Sequence, residues 1–273
     1  MSDIVLSAGV RSNLLQLQQT SDLISQTQTR LATGKKVNSA LDNANSFFTA
    51  QGLDNRANDL NSLLDTMSTG INTIQAANNG ITSITKLVQS AQALVTQAQQ
   101  TTDTATQASL ATQFDDLLTQ IGQLAGDSSF NGVNLLGGDT LTITLNETGT
   151  STTSVTGVDY TNANNSPLSI ANAANNWSTA ADITTASTAL SAALTTLRSE
   201  AQTLSASLSV VQIRQDFTKS TISTLQTGSD NLTLADSNEE GANLLALQTR
   251  QQLSSTALSL ASQADQNVLR LFR

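Results

Sequence analysis

Residues 60–98 read LNSLLDTMSTGINTIQAANNGITSITKLVQSAQALVTQA. In this stretch Leu60, Leu63, Met67, Ile71, Ile74, Ala77, Ile81, Ile84, Val88, Ala91, Val95 and Ala98 follow one another at steps of three or four. Such spacing lays one apolar stripe along a single, very long helix. Gly52, Gly70 and Gly80 fall inside the helical stretch. Each costs about 1 kcal/mol relative to alanine, a cost a long stripe tolerates. Ser39 is placed to cap the start, with Asp42 three residues on at capping-box spacing.

Upstream, Val10, Leu17, Ile24 and Leu31 recur every seven residues, with Leu14, Ser21 and Gln28 at the second heptad position. Polar Ser21 and Gln28 make that seam weak by itself, which suits a helix that orders with a partner. Gly34 closes the helix, and Lys35 and Lys36 favour a helix C-terminus. Downstream, a shorter helix carries Leu110, Phe114, Leu117, Ile121 and Leu124. Composition then changes: seven of the 14 glycines lie between Gly122 and Gly157, and the only proline is Pro167. The alternation from Thr140 to Leu145 is that of a half-buried strand, Ser151 to Thr156 is β-branched and small, and Asn162 to Ser166 reads as a loop.

Helical spacing returns with Ala186, Leu190, Leu194, Leu197, Ala201, Leu204, Leu208 and Val211, and runs on to Ile222 and Leu225. A break is expected near Gly228. In the last helix Leu244, Leu247, Leu258, Ala261, Val268 and Phe272 line one side, and Leu253, Ala257, Leu260, Ala264 and Leu271 an adjacent side. So wide an apolar arc needs a partner. Periodicity alone leaves open an intramolecular coiled coil or an assembly.

The expected fold is mainly α: a long helical rod or coiled coil formed by the N- and C-terminal segments, with a small β-containing insert in the middle. Three parts are expected. Residues 1–40 with 234–273 form a terminal coiled coil, 41–136 with 186–233 a helical rod, and 137–185 an outer insert. Complete helical segments flank the insert, so excising about residues 140–180 is expected to leave assembly intact.

Composition narrows the function. The 273-residue chain has 12 basic and 21 acidic residues, a net charge of −9, and neither Cys nor His. A negative chain is a poor partner for nucleic acid or an anionic membrane surface. Without Cys or His there is no disulfide, thiol nucleophile, imidazole base or Cys/His zinc site. No apolar run approaches the 18 or so residues that span a bilayer. The start, Met1-Ser2-Asp3, lacks the pattern of a cleaved signal peptide.

Asp115-Asp116 and Glu239-Glu240 could suggest paired catalytic carboxylates. Adjacent helix positions diverge, however, and both pairs read as solvated surface. Gly137-Gly138-Asp139 reads as a turn rather than a calcium loop, and Trp177 as a packing residue where insert meets helices. Asn146-Glu147-Thr148, Asn176-Trp177-Ser178 and Asn231-Leu232-Thr233 match the glycosylation acceptor pattern, which is common by chance. O-linked sugars on Thr148 to Thr156 and an unmodified segment both stay open. No cofactor and no catalytic constellation is expected.

Against this background the motifs resemble those of bacterial flagellins. Arg30-Leu31-Ala32-Thr33-Gly34, with Val37-Asn38-Ser39-Ala40 and Asp42, resembles the family signature after its first helix. Phe130-Asn131-Gly132-Val133-Asn134-Leu135-Leu136 resembles the motif leaving the shorter helix. Asp236, with Glu239 or Glu240, sits where the family carries acidic residues, and Gln251-Gln252, Ala257-Leu258 and 266–273 resemble its C-terminal helix. The resemblance covers about residues 1–136 and 186–273, and its short middle resembles alpha-proteobacterial members.

The resemblance implies a structural subunit that self-assembles into the flagellar filament for swimming motility. Such a subunit leaves the cell through the flagellar type III pathway without a cleaved signal. It implies an inner tube of paired terminal helices, disordered in the monomer and ordered in the polymer. Val10, Leu14, Leu17, Ile24 and Leu31 are then expected to face Leu258, Ala261, Val268, Leu271 and Phe272, within a chain or between neighbours. Expected partners are further copies of itself, the export apparatus and chaperone, the filament cap and the hook-associated proteins. Members recognised by the animal Toll-like receptor carry an arginine-rich stretch followed by Glu-Leu. Here Ser90-Ala91-Gln92-Ala93-Leu94 lacks charge, which argues against that recognition. Without histidine, the zinc protease of some flagellin inserts is excluded. The alternatives are a hook–filament junction protein and a secreted coiled-coil adhesin or ligand-binding surface protein.

Overall fold

The computed structural model describes residues 8–165 and 167–271, excluding the side chains of Asp265 and of residues 268–271. Five helices carry the fold: α1 (Ala8–Thr33), α2 (Ala40–Gln99), α3 (Thr104–Asp127), α4 (Ala180–Thr233) and α5 (Ser237–Leu271). Strands β1 (Thr140–Thr144) and β2 (Thr152–Thr156) lie between α3 and α4 and pair antiparallel, Leu141 opposite Val155 and Ile143 opposite Thr153. The chain folds as two compact units, Ala57–Ser223 and the two flanks Met1–Arg56 with Thr224–Arg273.

In the central unit the α2 stripe from Met67 to Ala98 is buried in one cluster with α3 (Leu110, Phe114, Leu118, Ile121) and α4 (Leu190, Leu197, Leu204, Val211). A hydrogen bond from Gln215 to the Ser68 hydroxyl at 2.9 Å ties α4 to α2 at its edge. Asp103 caps α3 by accepting from the Thr106 amide at 2.9 Å. The insert belongs to the same cluster through Ile143, Val155, Tyr160, Ile170 and Trp177, all buried. Two helix glycines explain how it fits so closely. A Cβ at Gly70 would meet the Ile143 side chain, and one at Gly122 would meet the Thr161 carbonyl. The insert thus completes the core of this unit.

Trp177 packs against Phe114, with ring centroids 5.0 Å apart, and the Ala173 amide donates to Asp115 at 2.8 Å. Trp177 is thus a packing residue, as its sequence position implies. Half-buried Asp115 is not free surface as expected; it anchors the insert. At Gly137-Gly138-Asp139 the chain makes the expected turn, in which Asp139 accepts from the Asn134 amide at 2.8 Å.

In the flanking unit α1 packs on α5. Val10, Thr20, Ile24 and Thr27 are buried on α1, with Leu17 and Leu31 half-buried. On α5, Glu240 is buried, and Leu244, Leu247, Gln251, Ser254, Leu258 and Ala261 are half-buried. Their alternating steps of four and three are a coiled-coil seam. The expected second heptad position of α1 is corrected by one residue. Thr20 and Thr27 turn inward, whereas Leu14 is 39% exposed and Ser21 and Gln28 face solvent. Thr20 satisfies its hydroxyl on the Gln16 carbonyl at 2.8 Å, so burying it costs little.

Two helix boundaries also differ from expectation. Ser39 and Asp42 form the capping box, with the Ser39 amide 3.0 Å from Asp42 Oδ2, but only one turn follows. Asn43 leaves helical geometry (φ −163°, ψ 100°), and its side chain accepts from the Ser46 amide at 3.0 Å, so Asn43 caps the continuous part of α2. The break expected at Gly228 falls instead after Thr233. A single glycine does not end a helix held by tertiary packing, and Gly228 lies against Leu53: a Cβ there would be 3.3 Å from Leu53 Cδ1.

Candidate functional site at the clasp between the chain ends

α1 ends where Gly34 adopts φ 68°, a left-handed conformation that suits glycine. This turn delivers residues 34–37 alongside residues 233–235, the link between α4 and α5. The Ala235 amide donates to the Gly34 carbonyl at 3.0 Å. The Lys36 amide donates to Thr233 O at 2.7 Å, and the Val37 amide to the same oxygen at 3.3 Å. Lys35 and Leu234 form an antiparallel bridge, and the Lys36 ammonium reaches Asn231 O at 3.2 Å. These bonds form a clasp between segments nearly 200 positions apart.

Side chains secure it on both sides. Asn38 donates to Lys35 O at 2.9 Å, and Asp42 Oδ2 accepts from the Asn38 and Ser39 amides, both at 3.0 Å. Those backbone bonds, first from Asn38 and then from Ser39, hold the Asp42 carboxyl below its ordinary pKa. Across the link, Asp236 starts α5 by accepting from the Asn238 amide at 2.8 Å. Arg30 Nη1 meets Glu240 Oε1 at 3.0 Å, and the Glu240 side chain is only 9% exposed. Glu240 is therefore an ion-paired, buried residue, correcting the expectation of solvated surface. Arg30, Lys36, Asp42, Asp236 and Glu240 line part of a cleft of about 790 Å³.

The clasp unites five sequence-predicted motif residues, Arg30, Gly34, Asn38, Ser39 and Asp42, with Leu31 half-buried just before it on α1. The other three, Phe130, Asn131 and Gly132, belong to the central unit. There the Phe130 and Val133 backbones bond reciprocally at 2.9 and 3.0 Å. Asn131 and Gly132 take φ 49° and 81° between them, the positive φ pair of a type I′ turn. Of the expected assembly residues, Val10 and Ile24 are buried in the α1–α5 seam, while Leu17, Leu31, Leu258 and Ala261 are half-buried there. Leu14 lies outside it. The side chains of Val268 and Leu271, and all of Phe272, lie outside the described residues.

The reading of the sequence missed Thr233, Leu234 and Ala235, which act through their backbones and carry no motif. Asp236 was legible: with Glu239 three residues later it repeats the capping-box spacing. Chemically the clasp is a joint. Its carboxylates bind backbone amides or Arg30. Among the described residues no group of three or more acidic side chains is arranged to hold a metal ion.

Known families show the same two-part pattern. Residues 8–140 match the bacterial flagellin N-terminal helical region, and residues 187–272 match the bacterial flagellin C-terminal helical region. The flagellin FljM of Caulobacter vibrioides is 32% identical over 276 residues, spanning 100% of this chain and 99% of the relative. A flagellin of Brucella melitensis is 28% identical with both chains covered in full. A flagellin A of Rhizobium meliloti is 43% identical over 82 residues, 30% of this chain. Arg30 comes from the first matched region and Glu240 from the second, so the clasp joins the two parts by which the family is defined, and the chain belongs to the bacterial flagellin family.

Proposed function

We propose that this chain is a structural subunit that self-assembles into an extracellular bacterial flagellar filament. The observation that carries the reading is the α1–α5 pair, closed by the Arg30–Glu240 clasp and still bearing unpartnered leucines. Leu15, Leu245, Leu253 and Leu260 are 57%, 67%, 67% and 62% exposed, although their helices are already paired. A coiled coil with a second apolar side fits a bundle of many helices better than a lone pair.

On this reading the subunit serves swimming and has no catalytic role. It is exported by the flagellar type III apparatus with a chaperone, and it meets the cap and hook-associated proteins at the filament ends. The terminal segments, about 1–40 and 234–273, order fully only on polymerisation. The outer insert takes no part in the inner tube. Immunogold electron microscopy of the source cells tests the assignment. Label along the whole filament is expected. Label confined to the filament base, or spread over the cell body, would overturn it in favour of a junction protein or an adhesin.

A further inference from the structure

Among the described residues five non-glycine residues have positive φ, and four of them, Ser169, Asn175, Asn176 and Trp177, fall where the insert runs into α4. Asn175, Asn176 and Trp177 are consecutive, at φ 49°, 52° and 58°, so the chain makes a left-handed turn. Asparagine enters this region singly at small cost, whereas a bulky side chain there is a true outlier and a run is rarer still. The same turn carries a second conflict. Trp177 is fully buried, and its indole Nε1–H has no hydrogen-bond partner among the described residues. A buried donor without an acceptor opposes this arrangement. The packing of the ring on Phe114 favours it. Both ends of the turn are fixed. Upstream, Asp115 holds the Ala173 amide at 2.8 Å, and downstream the Thr179 hydroxyl donates to Asp182 Oδ2 at 2.8 Å, at the start of α4. Trp177 also lines a pocket of about 140 Å³, with Ser169, Asn172, Asp182, Ala186 and Ala189. The side chains of Ser169 and Asn172 hold no hydrogen bond among the described residues.

We infer that residues 174–178 form a two-position latch that fastens the insert to α3. In the closed position the turn is left-handed and the indole packs on Phe114. In the open position the turn unwinds to negative φ and the ring moves into the pocket, where Ser169 or Asn172 accepts from Nε1–H. Opening relieves the backbone strain and satisfies the donor, and it gives up the contact with Phe114. Strain of this kind persists where the surroundings over-determine it, and it gathers in switch regions. Packed elements pass between discrete arrangements rather than deforming continuously. With opposing effects so nearly matched, the open position is a minor population of about 1–10% in the free chain. The fixed points at Ala173 and Thr179 confine the motion to the turn. The latch stands independently of the filament reading.

The chain has one tryptophan, so a single indole N–H signal in the magnetic resonance spectrum of the nitrogen-labelled full-length chain reports the latch. Relaxation dispersion or saturation transfer at that signal is expected to reveal a minor state in exchange. Asn176→Ala disfavours the left-handed turn and is expected to raise the minor population about fivefold. Asn176→Gly, for which positive φ carries no steric cost, is expected to lower it by a similar factor. Ala189→Leu fills the pocket and is expected to abolish the exchange while the indole stays on Phe114. Hydrogen exchange of the indole is expected at denaturant concentrations well below global unfolding. The absence of a minor state by both measurements on the parent would overturn the latch. So would equal minor populations in the two Asn176 variants, or exchange that survives Ala189→Leu undiminished. Indole hydrogen exchange through global unfolding alone would overturn it as well.

Discussion

Arg30 and Glu240 stand 210 positions apart in the chain and meet at 3.0 Å, the carboxylate almost fully withdrawn from water. This pair fixes the axial register of α1 against α5 together with the backbone bonds between residues 34–37 and 233–235. One partner without the other leaves a buried charge uncompensated, which costs more than the pair itself contributes.

Glu240→Ala should therefore destabilise the α1–α5 pair by about 1–3 kcal/mol. Glu240→Ala combined with Arg30→Ala should cost less than the sum of the two single changes. A double-mutant cycle on the assembled filament, taken apart in urea and followed by helix circular dichroism, reads the coupling. Strict additivity would show that the pair is incidental.

The Asp42 cap has a defined pH dependence. Its folded pKa is depressed by the Asn38 and Ser39 amides. Its contribution is thus present above the ordinary aspartate pKa and is lost as pH falls through the folded value. Hydrogen exchange at the Asn38 and Ser39 amides should accelerate over that acidic window beyond the intrinsic change. In Asp42→Ala, which removes the acceptor, it should be fast already at neutral pH, whereas equal protection in the two chains would contradict the cap.

Two glycines four residues apart on α3 should respond in opposite senses. At Gly122 an added methyl meets the Thr161 carbonyl, and at Gly126 it meets nothing within 4 Å. Gly122→Ala should cost about 1–3 kcal/mol by forcing the insert away. Gly126→Ala should be stabilising by about 0.5–1 kcal/mol through helix propensity. Urea midpoints of the two variants decide this, and a common sign would refute the close approach.

Removal of the ring at Trp177 tests the union of insert and helices. Trp177→Ala should cost about 3–5 kcal/mol, because the side chain is fully buried against Phe114. Excision of 140–180 should lower the melting temperature of the central unit even where polymers still form. An unchanged melt would return the insert to the status of a separable lobe.

The stripe from Leu60 to Ala98 made the long helix legible, because apolar residues at steps of three and four admit one periodicity. The alternation at Thr140–Leu145 likewise exposed β1. What escaped was the choice between equal spacings. Beside Val10, Leu17, Ile24 and Leu31, either the Leu14 row or the Thr20 row completes a heptad, and by hydropathy leucine is the better core residue. Threonine can bury itself by bonding its own helix backbone, as Thr20 does, and hydropathy does not register that. The motif residues around Gly34 were legible as a group, but their partners at 233–235 contribute amides and carbonyls, which every residue carries. Glu240 could not be distinguished from Glu239 until Arg30 was brought to it by the fold. Gly70 and Gly122 read as tolerated defects, whereas each is the space into which the insert fits.

The most direct measurement is electron microscopy of the purified full-length chain after addition to short filament seeds at neutral pH. The account predicts long filaments grown from the seeds, with the α1–α5 pair of every subunit clasped at Arg30 and Glu240. Chains that stay soluble beside unextended seeds, at every protein concentration tried, would contradict it.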